Sequence, residues 1–332
     1  MKKILIIFLF FLSTINFAQE IEIIKKEKYL RASEAYGYIL GFELTFEKII
    51  IDFPELQREI FEAKYLFQSS FSNVKINSKS FLEESFDKNE FTEFEKEIST
   101  ELKSSIETIK FNQKEVLDYL IEIKSQARGK ITSPILENLL AFQYFNNPEK
   151  EFLAGFTKTF KTKDHIKSKN TDWSIKLPKS WLSVEADRPN IIKKFISDLG
   201  NGNESVMLTV KNLNLPDNYQ LTKEDYDDFF NENSIKEMIP ENGKYISYKN
   251  MSFDGIKGGM LEFEQTNERL DLKIKSYNIN YIFIYKNKLY SISCSCGIVL
   301  KNLTNNLELN YEKFKPLFTL IANSIVINEQ YK

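Results

Sequence analysis

The spacing of the apolar residues changes once along this chain, and that change limits the folds it can adopt. From Tyr29 to Phe156 apolar residues recur every three or four positions, the period of one face of an α-helix. After Asn170 they alternate with polar residues, the period of a strand with one buried face. We therefore predict an α+β protein, with helices first and a sheet second. The predicted parts are an N-terminal α-helical bundle domain at 28–156, a lysine-rich linker at 157–170 and a sheet domain at 171–328.

The helical part divides into five or six predicted helices joined by short loops. Pro54 breaks the first helix and can start the second, because proline has no N–H to donate inside a helix. Asn112 and Glu115 have the spacing of a capping box, which predicts the start of another helix. Pro134 and Pro148 are placed to begin the last two. Helices with such short connections predict a bundle, and its phenylalanines are interpreted as packed core.

The predicted linker contains the single histidine of the chain. Five lysines stand against one acidic residue in this segment, which favours a solvated connector. Any serine or cysteine nucleophile with a histidine base would depend on His165. A catalytic base needs rigid support, and a lysine-rich connector is not expected to provide it. We therefore predict no catalytic role for His165.

The sheet part resembles a known family. Its first predicted strand carries Trp173, the turn Leu177-Pro178-Lys179-Ser180-Trp181 follows, and the chain closes with a helix and Asn323-Ser324-Ile325. Between these ends lie further strands, a helical insertion and hairpins. From about Asp172 to Ile327 this order resembles a PsbP-like domain. The resemblance implies an antiparallel sheet sandwiched between helices, and a binding or assembly module rather than an enzyme.

The N-terminus has the pattern of a secretory signal peptide at 1–18. Lys2 and Lys3 precede nine apolar residues, and the small residue Ala18 precedes Gln19. We expect cleavage between Ala18 and Gln19, and export to the periplasm or the medium; the alternative is an uncleaved anchor. A bilayer takes about 20 apolar residues to cross, and no later segment is apolar for that length. The mature chain is therefore predicted to have no transmembrane segment.

Charge and motifs argue against several classes of function. The net charge of −2 gives no basic signature for nucleic acid. One histidine is too few for most metal sites, and the usual hydrolase and nucleotide-binding motifs are missing from the sequence. We predict no catalytic residue, no cofactor and no metal site. Cys294 and Cys296 lie two apart on a predicted strand and are interpreted as small buried side chains, with a strained disulfide or a soft-metal pair as alternatives.

The predicted function is that of a non-enzymatic binding or assembly module of the cell envelope. Its partner would be a protein or another envelope component. Trp181, Arg188 and Asn190 flank one polar loop and are the candidate partner contacts, because tryptophan and arginine are enriched where partners anchor. The alternative is that Trp181 belongs to the core and Arg188 is merely solvated.

Two other functions stay open at this point. One is an envelope hydrolase with a carboxylate pair, which a cleft containing one raised carboxyl pKa would indicate. The other is a carrier of hydrophobic ligands, with its cavity inside the helical bundle. The sequence leaves the ligand and the oligomeric state open.

Overall fold

The computed structural model describes residues 18–85, 88–186, 188–213, 215, 219–269, 272–300 and 307–332. The predicted signal peptide lies outside the described residues except for Ala18, which is the first residue of a helix. In the part of the chain that the structure describes, no helix has the length and apolar character needed to cross a bilayer. Helices come first and antiparallel strands follow, so the predicted α+β fold is confirmed.

The described residues of the N-terminal half form seven α-helices. They are α1 (Ala18–Asp52), α2 (Gln57–Ser70), α3 (Val74–Ser85), α4 (Lys88–Glu107), α5 (Gln113–Gln126), α6 (Ile135–Gln143) and α7 (Glu149–Leu153). Helix α1 contacts α2, α3, α4 and α6, and is thus the axis of the bundle. The rings of Phe42 on α1 and Phe67 on α2 stack with centroids 4.1 Å apart, and Phe71 lies 5.0 Å from Phe67. The phenylalanines of the bundle therefore pack against one another as core.

Sequence signals account for some of the helix boundaries and not for others. The side chain of Asn112 accepts a hydrogen bond from the N–H of Glu115 at 3.0 Å, and Glu115 accepts in return from the N–H of Asn112 at 2.9 Å. The predicted capping box is confirmed. The spacing does not predict α3 as a separate helix, because Val74 continues the apolar period of α2. In the structure α2 ends before Val74, because Phe71 leaves the helical conformation with a φ of −129°.

Gly37 and Gly41 lie one turn apart on α1 and differ in the space around them. A methyl group at Gly41 would lie 3.8 Å from Leu102 Cδ2, an ordinary contact, whereas at Gly37 it would lie 3.1 Å from Ile98 Cδ1. Alanine is more favourable than glycine in a helix interior by about 1 kcal/mol. We expect Gly41→Ala to raise the free energy of unfolding by about that amount and Gly37→Ala to gain less. Urea unfolding of both variants measures this, and the opposite order would contradict it.

The described residues of the C-terminal half form nine strands in two sheets. The strands are β1 (Thr157–Lys161), β2 (Ser174–Pro178), β3 (Leu182–Val184), β4 (Ile191–Ile196), β5 (Glu204–Asn212), β6 (Gly243–Phe253), β7 (Ile256–Arg269), β8 (Leu272–Tyr285) and β9 (Lys288–Val299). Strands β1 and β2 pair with each other. The other seven form one antiparallel sheet in the order β3-β4-β5-β9-β8-β7-β6.

Helices cover both faces of the seven-stranded sheet. The helix α10 (Leu307–Asn323) packs on one face, where Leu317 and Phe318 join Tyr281 in a buried cluster. The helices α8 (Lys223–Phe229) and α9 (Glu232–Lys236) cover the other face, where Ile235 joins Ile282. The sheet is therefore sandwiched between helices, as the PsbP-like resemblance implies. Tyr281 and Ile282 point to opposite faces of β8, a central strand that is buried on both sides.

Part of the segment 157–170 is regular structure. Its first five residues form β1, whose register with β2 runs from Thr157 opposite Pro178 to Lys161 opposite Ser174. The alternation in this strand is too short and too rich in lysine for the sequence to predict it. The division of the chain into domains at this segment stays a prediction.

Cys294 and Cys296 lie on the inner face of β9 together with Ile292. All three side chains are fully buried, and both cysteines are free thiols. Burial raises the pKa of both thiols, which keeps them protonated and unreactive. The interpretation as small buried side chains is confirmed.

Candidate functional site

A cleft of about 330 Å³ lies where the helical half meets the sheet half. Its walls come from α1, α6 and α7 on one side and from the β2–β3 turn, the β4–β5 loop, β9 and α10 on the other. We call it the junction cleft; the side chains that characterise it are Lys28, Tyr144, Phe145, Glu151, Glu204 and Lys313. Ligand sites commonly form in such concave surfaces between structural units.

The β4–β5 loop, residues 197–203, forms one wall of the cleft in a strained conformation. Asp198, Leu199 and Gly200 have φ values of 50°, 53° and 99°, in the left-handed region that side chains other than that of glycine rarely adopt. Such strain persists only where the surroundings hold it in place. Here the N–H of Leu199 donates to the carbonyl of Ser180 at 2.9 Å, so the loop is tied to the β2–β3 turn.

Glu204 follows this loop and is buried at the base of the cleft. Its carboxylate accepts hydrogen bonds from Ser197 Oγ and from Asn310 Nδ2, one at each oxygen. Gly202 lies so close to this pair that an added methyl group would lie 1.6 Å from Ser197 Oγ. The glycine is therefore required for the turn that brings Ser197 to Glu204.

Helix α1 of the helical half docks on the same loop. Lys28 Nζ lies 2.9 Å from Asp198 Oδ2, and Arg31 donates to the carbonyl oxygen of Asp198 at 3.0 Å. With its amide oriented to satisfy its neighbours, Asn201 accepts from Arg31 at 3.0 Å and donates to Glu27 at 3.1 Å. Several polar contacts thus fix the two halves against each other along one side of the cleft.

Glu151 joins the halves on the other side of the cleft. It belongs to α7, and its two carboxylate oxygens accept from the N–H of Ser180 at 2.8 Å and from its hydroxyl at 2.6 Å. Glu151 is 3% exposed, and this burial raises the pKa of its carboxyl to about 7 against the lowering effect of the Ser180 hydrogen bonds. Its carboxylate therefore holds the last helix of the bundle to the β2–β3 turn through these two hydrogen bonds.

Lys313 differs from the other charged groups of the cleft. In the described part of the protein its ammonium has no ion pair and no hydrogen bond. It lies over two rings instead, 4.9 Å from the centroid of Phe145 and 5.1 Å from that of Phe314. Burial lowers the pKa of Lys313, partly offset by the negative charge of Glu204.

The predicted partner contacts are not brought together. Trp181 is 2% exposed and packs on Phe314 and Phe318 of α10, so its ring belongs to the core, as the alternative interpretation has it. Arg188 is exposed and Asn190 half-buried, both in the loop after β3, while Trp181 precedes that strand. Strand β3 therefore separates Trp181 from Arg188 and Asn190. A partner contact at Arg188 and Asn190 stays a prediction.

His165 is held by structure around it rather than left in a mobile connector. Its ring makes an edge contact with Phe160, and its Nδ1 accepts from the N–H of Lys167 at 3.2 Å. Its Nε2 lies 3.9 Å from a carboxylate oxygen of Glu185. These contacts place His165 beside β1, and it does not line the junction cleft.

No family model matches the chain, and no curated protein matches it. Solved structures match about half of it. Cyanobacterial PsbP from Synechocystis is 15% identical over 52% of this chain and 92% of its own, with a TM-score of 0.32. The Ran-binding protein Mog1p of Saccharomyces cerevisiae is 8% identical over 52% and 95%, with a TM-score of 0.33. LpqN of Mycobacterium tuberculosis, involved in cell envelope biogenesis, is 7% identical over 51% and 90%, with a TM-score of 0.30.

The cleft residues were not singled out by their sequence context. Glu151 and Glu204 are two of 47 acidic residues, and neither belongs to a recognisable motif. Lys313 lies on a helix with lysines on both faces. The short loop at 198–204 with its glycines and asparagines is the one local signal, and in the sequence it reads as an ordinary turn.

Proposed function

We propose that this protein is an exported, non-enzymatic binding or assembly module of the cell envelope, and that the junction cleft is where it engages its envelope component. The observation that carries the proposal is the cleft itself, whose walls come from both halves of the chain. The signal-peptide pattern supports export. The polar contacts between the two halves on both sides of the cleft support a preformed site, because rigid walls lose less conformational entropy when a ligand binds.

The polar groups of the cleft favour binding over hydrolysis. Glu151 has the raised pKa that a general acid would need, but both of its oxygens are occupied by Ser180 and the residue is 3% exposed. A general acid must come within hydrogen-bond distance of the substrate. Glu204 is likewise held at both oxygens. The two carboxylates are therefore better placed to hold the walls of the cleft than to transfer protons.

The packing of the bundle does not favour a carrier of hydrophobic ligands. Such a carrier would need a cavity among the phenylalanines of the helical half. The rings of Phe42, Phe46 and Phe67 instead contact one another at centroid distances of 4.1 and 4.5 Å. Contacts of this kind leave no space for an acyl chain between these three rings.

A crosslinked pull-down of the tagged mature chain from its own cell envelope tests the proposed site. We compare the wild type with Asn203→Trp, which places a large ring at the mouth of the cleft, and with Ile166→Trp, a control at a position that is 94% exposed. We expect Asn203→Trp to lose the component that the wild type captures and Ile166→Trp to retain it. Equal capture by all three proteins would contradict the proposal.

Arg188 and Asn190 stay part of the proposal as a second contact. Arg188 is exposed and its side chain forms no ion pair in the described part of the chain, so it is available to a partner. If this loop takes part, Arg188→Ala should weaken capture without changing the thermal unfolding midpoint. Unchanged capture by Arg188→Ala would remove the loop from the interface and leave the cleft as the site.

A further inference from the structure

Among the described residues that line the junction cleft, Lys313 has an ammonium group with no ion pair and no hydrogen bond. Its neighbours Phe145 and Phe314 offer only their ring faces, at 4.9 and 5.1 Å. A half-buried cation has lost part of its hydration, and contacts with aromatic rings replace it incompletely. A negatively charged group that entered the cleft would find a charge-assisted hydrogen bond available at this nitrogen.

A second donor lies in the same cleft. The hydroxyl of Tyr144 has no hydrogen-bond partner in the described part of the protein, and the residue lines the cleft together with Lys313. Burial raises the pKa of Tyr144, so the hydroxyl stays protonated and can donate. Lys313 and Tyr144 come from opposite halves of the chain. A ligand that bonded to both would bridge the halves.

The acidic residues of the cleft limit the charge that it can accept. Lys28 is neutralised by Asp198 at 2.9 Å, and Glu204 contributes a further negative charge near Lys313. These carboxylates would repel a dianion more strongly than a group with a single negative charge, for which Lys313 is the nearest unpaired cation among the described residues of the cleft. The remaining wall is apolar and half-buried, with Ile298 and Leu307 among its residues.

We infer that the junction cleft binds a monoanionic carboxylate with a small apolar body, with the carboxylate at Lys313 and Tyr144 and the apolar body against Ile298 and Leu307. This inference rests on the proposed function, since it names the chemical class of ligand for the same cleft.

Binding of three probes to the full mature chain tests the inference. Octanoate carries the carboxylate, octylamine has the same chain with the opposite charge, and octyl phosphate can carry two negative charges. By isothermal titration calorimetry we expect saturable binding of octanoate, weaker binding of octyl phosphate and none of octylamine. Octylamine binding as well as octanoate, or no saturable binding of octanoate, would overturn the ligand class.

Variants then locate the site. Lys313→Met keeps most of the side chain and removes the charge, so octanoate affinity should fall at least about tenfold, the worth of one charge-assisted hydrogen bond. Lys313→Arg should retain binding. Lys211→Met is the matched control, because Lys211 is exposed on β5 and its ammonium group forms no ion pair or hydrogen bond in the described chain. Unchanged octanoate affinity in a folded Lys313→Met protein would overturn the site.

Failure of this ligand class is separable from failure of the proposed function. If octanoate does not bind while Asn203→Trp still abolishes capture of the envelope component, the cleft remains the binding site and its ligand has another chemistry. If Lys313→Met does not fold, the comparison of octanoate with octylamine on the wild-type protein decides the charge preference alone.

Discussion

Trp181→Ala is expected to lower the free energy of unfolding by about 3–5 kcal/mol, the usual cost of removing a large buried aromatic side chain. The ring is 2% exposed and lies against Phe314 and Phe318 at centroid distances of 6.3 and 6.4 Å. Its carbonyl oxygen accepts from Lys158 Nζ, which ties β1 to the same turn. The neighbouring rings belong to α10 and cannot move far enough to fill the cavity. The free energy of unfolding should therefore fall by both the lost burial of the indole ring and the cost of the cavity.

Urea unfolding followed by far-ultraviolet circular dichroism measures the effect of Trp181→Ala. Arg188→Ala is the control: the residue is exposed, and surface substitutions usually change stability by less than about 0.5 kcal/mol. The core assignment would be contradicted if the free energy of unfolding of Trp181→Ala lay within about 1 kcal/mol of the wild-type value and the variant also failed to capture a partner. That result would restore the interpretation of Trp181 as a surface anchor.

Glu151→Gln is expected to change how stability depends on pH. The pKa of the Glu151 carboxyl is raised from its ordinary 4.5 to about 7 in the folded protein. Between these values the folded state holds a proton that the unfolded state has released, so stability falls as pH rises from 4.5 to 7 and is level above that range. At about 1.4 kcal/mol for each pKa unit, the loss amounts to about 3 kcal/mol.

The difference between wild type and variant isolates this contribution. Glutamine does not titrate, so Glu151→Gln should lack most of this loss between pH 5 and pH 8, and the groups common to both proteins cancel in the difference. Urea unfolding midpoints at four pH values across this range give the difference. Parallel pH profiles for the two proteins would show that Glu151 is ionised throughout and that its burial is offset by the Ser180 hydrogen bonds.

The sequence predicts the elements of this fold better than their assembly. Period-two alternation and the capping box at Asn112 act within a few residues, so they can be identified without tertiary information. Strand β1 escapes prediction because its residues Thr157–Lys161 gain stability mainly from pairing with β2, which begins only at Ser174 after a long connection. The order of the strands in the sheet comes from pairings between distant segments and is likewise not encoded by local spacing.

The candidate site depends on contacts between distant parts of the chain. Glu151 and Ser180 are 29 positions apart, and Arg31 and Asp198 are 167 apart. None of these residues stands out by type or spacing, because their roles follow from burial and from what they face. Trp181 shows the reverse difficulty: its residue type fits both a partner contact and a core position, and the packing against α10 decides for the core.

Site-specific photocrosslinking tests the central claim most directly. A photoreactive phenylalanine analogue is placed at position 145, at the mouth of the junction cleft and 42% exposed, and the protein is crosslinked in the cells that produce it. The comparison is the same analogue at position 166, which is 94% exposed and outside the cleft. We expect one dominant crosslinked species from position 145 and none of that species from position 166, as read by mass spectrometry. Crosslinking of the same species at equal yield from both positions, or from 166 alone, would contradict a binding site in the junction cleft.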